Sequence, residues 1–141
     1  MKIVLAADGS EHTRVAARKL AGMLKWFSER PEVHVLHVRP PFPFPHAGAV
    51  TGKKAIDDYE REEALKALAP AEDELKRAGV AFESTYRLGD VASEIVAFAE
   101  ARKADLIFMG AHGYGALQGV ALGSITTKVI ALTKTPVLIA R

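Results

Sequence analysis

The sequence predicts an α/β protein, a single-domain doubly wound parallel sheet of five strands with helices on both faces. Short apolar runs of strand length alternate along the chain with stretches of helical spacing, the pattern of successive βαβ units. Four of the five runs are almost wholly apolar, as strands buried on both faces require. The length of 141 residues matches the usual ~150 residues per domain, so residues 1–141 are read as one domain.

Lys2–Ala7 is the first apolar run. Helical spacing begins at Ser10, a polar N-cap type, with Val15, Leu20, Leu24 and Phe27 as the expected buried stripe. Val33–Val38 is the second strand. Arg39–Gly52 follows, where prolines at 40, 41, 43 and 45 exclude regular structure. Lys53 to about Arg77 is charged, alanine-rich and helical, with Pro70 expected to break or kink it and Gly79 to stop it. Its acidic residues Asp57, Asp58, Glu60, Glu62 and Glu63 read as a solvated face with i,i+4 pairs. Val80–Tyr86 is a third strand with one more polar face. Asp90 caps a helix running to Lys103, with Val91, Ile95, Phe98 and Ala99 inward. Asp105–Met109, Ser124–Leu132 and Pro136–Ala140 complete the pattern as strand, helix and strand.

Composition excludes several function classes. At 49% hydrophobic and 26% charged, the chain is neither disordered nor fibrous. It has no cysteine, which removes disulfides, thiol nucleophiles and cysteine-bound zinc. A net charge of +2 is too balanced for a dedicated nucleic-acid binder. Residues 1–54 hold nine basic and four acidic residues and residues 55–141 ten and thirteen, but no aromatic platform interleaves the basic positions of the first helix. The opening MKIVLAADGS lacks a secretory leader's apolar run, and the uncharged stretch Leu106–Thr127 is broken by five glycines. No membrane association and a cytoplasmic location are therefore expected.

In an open parallel sheet, ligands bind beyond the carboxyl ends of the strands, where strand order reverses. Two strand ends carry unusual sequence: Asp8-Gly9-Ser10 after the first, and Gly110 onward after the fourth. Gly110-Ala-His-Gly113 is followed by nine residues and then Gly123-Ser124 at a helix start. Glycines let backbone amides approach a ligand, and a helix N-terminus attracts phosphate. The hydroxyls of Ser124 and Thr126 add donors. As a bare pattern this is either a nucleotide or phosphate site or a tight turn with an ordinary N-cap. It is neither G-x-G-x-x-G nor a P-loop. His34 and His37, three apart on a strand, point to opposite faces and do not share a metal. His112 is a phosphate or rim contact or a loop histidine facing solvent, and Lys128 reads as a solvated helix lysine. Ser10 and Ser124 are both better used as helix caps than as nucleophiles, and no catalytic residues are assigned.

Asp8-Gly9-Ser10-Glu11, Leu36-His37-Val38, the spacing G-2x-G-9x-G-[ST] over Gly110 to Ser124, and Thr135-Pro136-Val137-Leu138-Ile139 together resemble the ATP-binding branch of the universal stress protein family, over essentially all 141 residues. The three-glycine spacing with its serine is the specific part, since members that do not bind ATP lack it. The resemblance implies strand order 3-2-1-4-5, which puts Asp8 and Gly110 at the switch point. It implies ATP as ligand, with Mg2+. Asp8 and the backbone around Ala7 and Val38 would hold adenine and ribose. Met109, Gly110 and Gly113 would line the ribose and phosphate approach, and Gly123, Ser124, Ile125 and Thr126 would take the phosphates. Ala7 stands where relatives often have proline, and only backbone contact is implied there. The implied order also leaves the apolar Pro136–Ala140 at the sheet edge, which predicts a homodimer through that strand. The expected function is an ATP-binding, nucleotide-responsive stress module. The rival readings are a slow Mg2+-dependent ATP hydrolase using Asp8 and a nucleotide-independent dimeric interaction or chaperone-like protein.

Overall fold

Strand β1 (Lys2–Ala7) is the spine of the sheet. It pairs in parallel with β2 (Glu32–Arg39) on one side, Lys2 to Ala7 opposite Glu32 to His37, and with β4 (Leu106–Gly110) on the other. β3 (Phe82–Leu88) extends the sheet beyond β2 and β5 (Val137–Ala140) beyond β4, giving the order β3-β2-β1-β4-β5. The computed structural model describes residues 1–41, 52–113 and 121–141. Pro43 and Pro45 of the proline-rich segment, and residues 114–120 of the glycine-rich loop, lie outside the described residues.

Because crossovers between parallel strands are right-handed, reversing the direction of travel along the sheet moves a helix to the other face. α1 (Glu11–Leu24) and α2 (Lys53–Arg77) therefore share one face, where Ala16, Ala17 and Leu20 meet Leu68, Ala71 and Leu75 over Ile3, Leu5, Val33 and Val35. α3 (Val91–Ala101) and α4 (Ser124–Leu132) cover the other, with Ile95, Phe98, Ala99 and Val129 over Val4, Leu36, Ile107 and Met109. No helix among the described residues is long and apolar enough to cross a membrane.

Several boundaries differ from the sequence reading for identifiable reasons. The fully buried stripe of α1 is Thr13, Ala16, Ala17 and Leu20, with Leu24 partly buried against the same core, and Val15 and Phe27 are not part of it. These four positions follow i, i+3, i+4, i+7, and two alanines there bring the helix close to the sheet. Phe27 lies beyond the helix end. α2 runs through Pro70 without breaking, held by burial of Ala64 and Leu68 before it and Ala71 and Leu75 after it. It closes at Gly79 (φ +67°), where the N–H of Gly79 bonds the Lys76 carbonyl and that of Val80 the Leu75 carbonyl. That closure occupies Val80, so β3 starts at Phe82 rather than at Val80.

The acidic face of α2 is not wholly solvated. Lys66 pairs with Glu62 and Glu63 at 3.1 and 3.0 Å, but Glu60 is buried. Glu74, also buried, ties α2 to α1: Arg18 donates Nε and Nη2 to its two oxygens at 3.2 and 3.0 Å, Arg77 bonds Oε1 at 2.9 Å, and Arg14 stands at 3.6 Å. The hydrogen bond from Arg18, with the charges of Arg18 and Arg77, holds the Glu74 carboxyl down at about 2, against an ordinary 4.5. A depressed folded-state value stabilises the fold above pH 4.5, and that contribution is lost as pH falls toward 2. Urea midpoints should therefore drop across this window in the wild type, and Glu74→Gln should flatten the drop while lowering the midpoint at neutral pH. A wild-type slope retained in Glu74→Gln would refute this role.

Candidate functional site

The strand order reverses at β1, since the chain travels outward to β3 and returns through α3 to β4. The connections from the carboxyl ends of β1 and β4 therefore lead to helices on opposite faces of the sheet, which opens a crevice between those two strand ends. Asp8 stands at its floor, just after β1. Its Oδ1 accepts from the Ser10 amide at 2.9 Å, the Ser10 hydroxyl at 2.6 Å and the Thr13 hydroxyl at 2.7 Å. The Asp8 amide in turn donates to Thr13 Oγ1 at 3.0 Å. Gly9 at φ +83° makes the turn, and Ser10 caps α1 by accepting from the Thr13 amide at 3.3 Å. One carboxylate oxygen thus organises the entry to α1. The other, Oδ2, lies against Gly113, where a Cβ would collide with it.

Gly110 is a glycine for a different reason. A Cβ there would lie 3.0 Å from His12 Cβ and 3.1 Å from the His12 carbonyl oxygen, so the first turn of α1 packs directly on the end of β4. At Gly123 a Cβ would stand 3.3 Å from His112 Cα, and the Gly123 amide donates to the Ala111 carbonyl at 2.8 Å. Ala111 also bonds across to β5 through the Ala140 carbonyl at 2.9 Å. These contacts fold the loop back so that α4 starts beside β4.

Gly123, not Ser124, is the N-cap of α4, and no side chain caps it. Ser124 is the first helical residue, is exposed and lines the crevice, rather than serving as the expected cap. The first intrahelical bond runs from the Thr127 amide to the Gly123 carbonyl, so the amides of Ser124, Ile125 and Thr126 precede the ladder. They carry the positive end of the helix dipole. The Thr126 hydroxyl is committed elsewhere: it is buried and donates to the Gly110 carbonyl at 3.2 Å, pinning α4 to β4.

All ten sequence-predicted residues, Ala7, Asp8, Val38, Met109, Gly110, Gly113, Gly123, Ser124, Ile125 and Thr126, line one cavity of about 720 Å3. That is within the ~300–1,000 Å3 of small-molecule sites. Apolar walls come from Leu36, Val91, Ile95 and Leu122. His112 lines the cavity too, its ring centre 5.4 Å from that of His12. The sequence singles out His37 only as half of an excluded metal pair and within the Leu36-His37-Val38 likeness, and Arg39 not at all, though both belong to the strand beside β1. His37 donates Nδ1–H to the Ala7 carbonyl at 2.8 Å, so that carbonyl already holds one bond. The parallel register sets His37 opposite Ala7, next to Asp8, whereas the burial of Arg39 Nη1 follows only from packing. His34 instead turns toward Phe98 of α3 and donates to Glu32 Oε1 at 2.7 Å.

A profile of the universal stress protein family matches residues 1–141. The chain is 34% identical to universal stress protein MJ0531 of Methanocaldococcus jannaschii, over 99% of this chain and 81% of that protein. It is 36% identical to a universal stress protein of Thermus aquaticus, over 99% and 97%. The solved structure of the M. jannaschii protein MJ0577 superposes with a TM-score of 0.81 at 28% identity, covering 99% of this chain and 94% of that one.

Gly110 and Gly113 should respond differently to a methyl group. Gly110→Ala presses on the backbone of α1 and should cost about 1–3 kcal/mol in urea unfolding. Gly113→Ala meets only a side-chain carboxylate and should unfold closer to wild type, with altered amide shifts at Ser10 and Thr13. A wild-type midpoint for Gly110→Ala would overturn the packing assignment.

Proposed function

The chain belongs to the universal stress protein family, and from that premise we propose that it is a regulatory module that binds Mg-ATP between β1 and β4. One observation carries the reading: a carboxylate at the floor of the cavity faces a helix N-terminus across glycines that leave the backbone bare. Carboxylates accept hydrogen bonds from ribose hydroxyls, and unsatisfied helix amides donate to phosphate oxygens. In this reading Ala7, Asp8 and Val38 hold adenosine. Met109, Gly110 and Gly113 line the path to the phosphates, which meet Gly123, the Ser124 hydroxyl and the amides of Ser124, Ile125 and Thr126. Adenine nucleotides are bound elsewhere in this fold: a universal stress protein has been solved in complex with cAMP, and one from Archaeoglobus fulgidus in complex with dAMP.

Among the described residues no three His, Asp or Glu side chains converge as a metal cage. The magnesium ion of this proposal therefore arrives on the triphosphate, whose charge it partly neutralises. Asp8 Oδ1 is spent on three donors, and among the described residues neither a histidine nor a second carboxylate hydrogen-bonds it. We read the site as one for binding rather than turnover.

Titration calorimetry separates the two ends. Asp8→Asn keeps an acceptor for the turn but removes the charge, and should weaken adenosine and ATP alike by roughly 1.5–3 kcal/mol. Ser124→Ala should weaken ATP by roughly 0.5–1.5 kcal/mol and spare adenosine. Asp8→Asn binding adenosine as tightly as wild type would remove Asp8 from the ribose.

We also propose that two copies pair through β5. Its 136, 138 and 140 side bonds β4, through the Pro136 carbonyl to Ile107 and the Ala140 carbonyl to Ala111, so the polar backbone of Val137 and Ile139 faces the outer edge. An apolar edge of this kind is satisfied by its own copy across a two-fold axis. Sedimentation at tens of micromolar should give the mass of two chains, and a monomer would end this proposal.

A further inference from the structure

A second cavity, of about 280 Å3, shares Asp8, His37 and Arg39 with the first and is lined on its far side by Glu63, Lys66 and Ala67 of α2. Arg39 is the unusual member. Its Nη1 is buried without a hydrogen-bond partner, the one such side-chain atom among the described residues. The guanidinium carbon lies 5.5 Å from the centre of the Tyr59 ring, a contact that positions the group without using its N–H donors. The ion pairs among the described residues do not include Arg39, whereas Lys66 is already held by Glu62 and Glu63. His37 has spent Nδ1 on the Ala7 carbonyl.

A shielded guanidinium nitrogen without an acceptor costs free energy, and the planar fork fits a phosphoryl group with two oxygens at once. Asp8, in the same wall, has the opposite need and accepts hydroxyl donors. A ribose phosphorylated on one of its two secondary hydroxyls satisfies both: the hydroxyl that is left donates to Asp8, and the phosphoryl oxygens accept from Arg39. In dinucleotide-binding folds an arginine near the ribose carboxylate likewise accommodates a 2′-phosphate. A phosphate diffusing alone would meet the carboxylates of Asp8 and Glu63 with no hydroxyl to offer them. We propose that the cavity beside Arg39 is an oxyanion subsite for a phosphoryl group on the 2′- or 3′-oxygen of the bound nucleotide's ribose. The ligand class then extends from 5′-nucleotides to adenosine bisphosphates and 3′-linked nucleotides. This rests on the reading that seats ribose on Asp8.

The test is calorimetric, on the full chain, with AMP, adenosine 3′,5′-bisphosphate, adenosine 2′,5′-bisphosphate, and AMP with inorganic phosphate present. One of the bisphosphates should bind wild type roughly ten-fold or more tightly than AMP. In Arg39→Met, which keeps the stem, the ratio of bisphosphate to AMP affinity should fall to about one, and Arg39→Lys should recover part of it. Thermal melts of both variants establish that they fold; if Arg39→Met does not, the Arg39→Lys ratio alone decides. The proposal is overturned if both bisphosphates bind no more tightly than AMP, if the gain survives in a folded Arg39→Met, or if it appears only with free phosphate. Failure of AMP and ATP alike to bind would instead bring down the nucleotide reading itself, and this subsite with it.

Discussion

The carboxylate of Asp8 sets the terms for much of this molecule. A single oxygen gathers the Ser10 amide, the Ser10 hydroxyl and the Thr13 hydroxyl, and so fixes where α1 departs from β1. The departure angle brings the backbone of His12 against Gly110, which explains why β4 must end in a residue without a side chain. The second oxygen is left facing Gly113 at the mouth of the crevice. Fold and site therefore draw on the same side chain, one oxygen each. A substitution that removes the whole carboxylate tests both at once, which is why the isosteric amide is the more informative change.

α4 shows the same division between side chain and backbone. Thr126 looks from sequence like a phosphate ligand, and its hydroxyl is instead the bolt that fastens the helix to the Gly110 carbonyl. Ser124 looks like a cap, and it is Gly123 that occupies the cap position. What the helix start leaves open is chiefly backbone, the amides of Ser124, Ile125 and Thr126 ahead of the first intrahelical bond.

The fold class was legible because it follows from period and polarity: apolar runs at β1, β2, β4 and β5, with Ser10, Gly79 and Asp90 marking helix ends that the structure keeps. Strand order was not contained in those patterns and came from the likeness to a known family. The ten site residues converge on one cavity because strand ends and a helix start are places the sequence marks with glycine and aspartate. Arg39 and Glu74 were illegible for a common reason. Each looks like an ordinary surface charge, and only packing reveals that Glu74 is a buried acid among three arginines and that Arg39 is a cation whose shielded Nη1 has no acid among the described residues. Pro70 misled in the opposite direction, since tertiary burial on both sides outweighs one missing backbone bond.

The account stands on the claim that a nucleotide spans from Asp8 to the first turn of α4. Amide chemical shifts followed while Mg-ATP is added report on both ends at once. Concerted, saturable shifts at Asp8, Gly113, Ser124, Ile125 and Thr126, with β3 and the far end of α2 unmoved, are the predicted result. Saturation that leaves those five amides in place, or no perturbation at millimolar Mg-ATP, would contradict it.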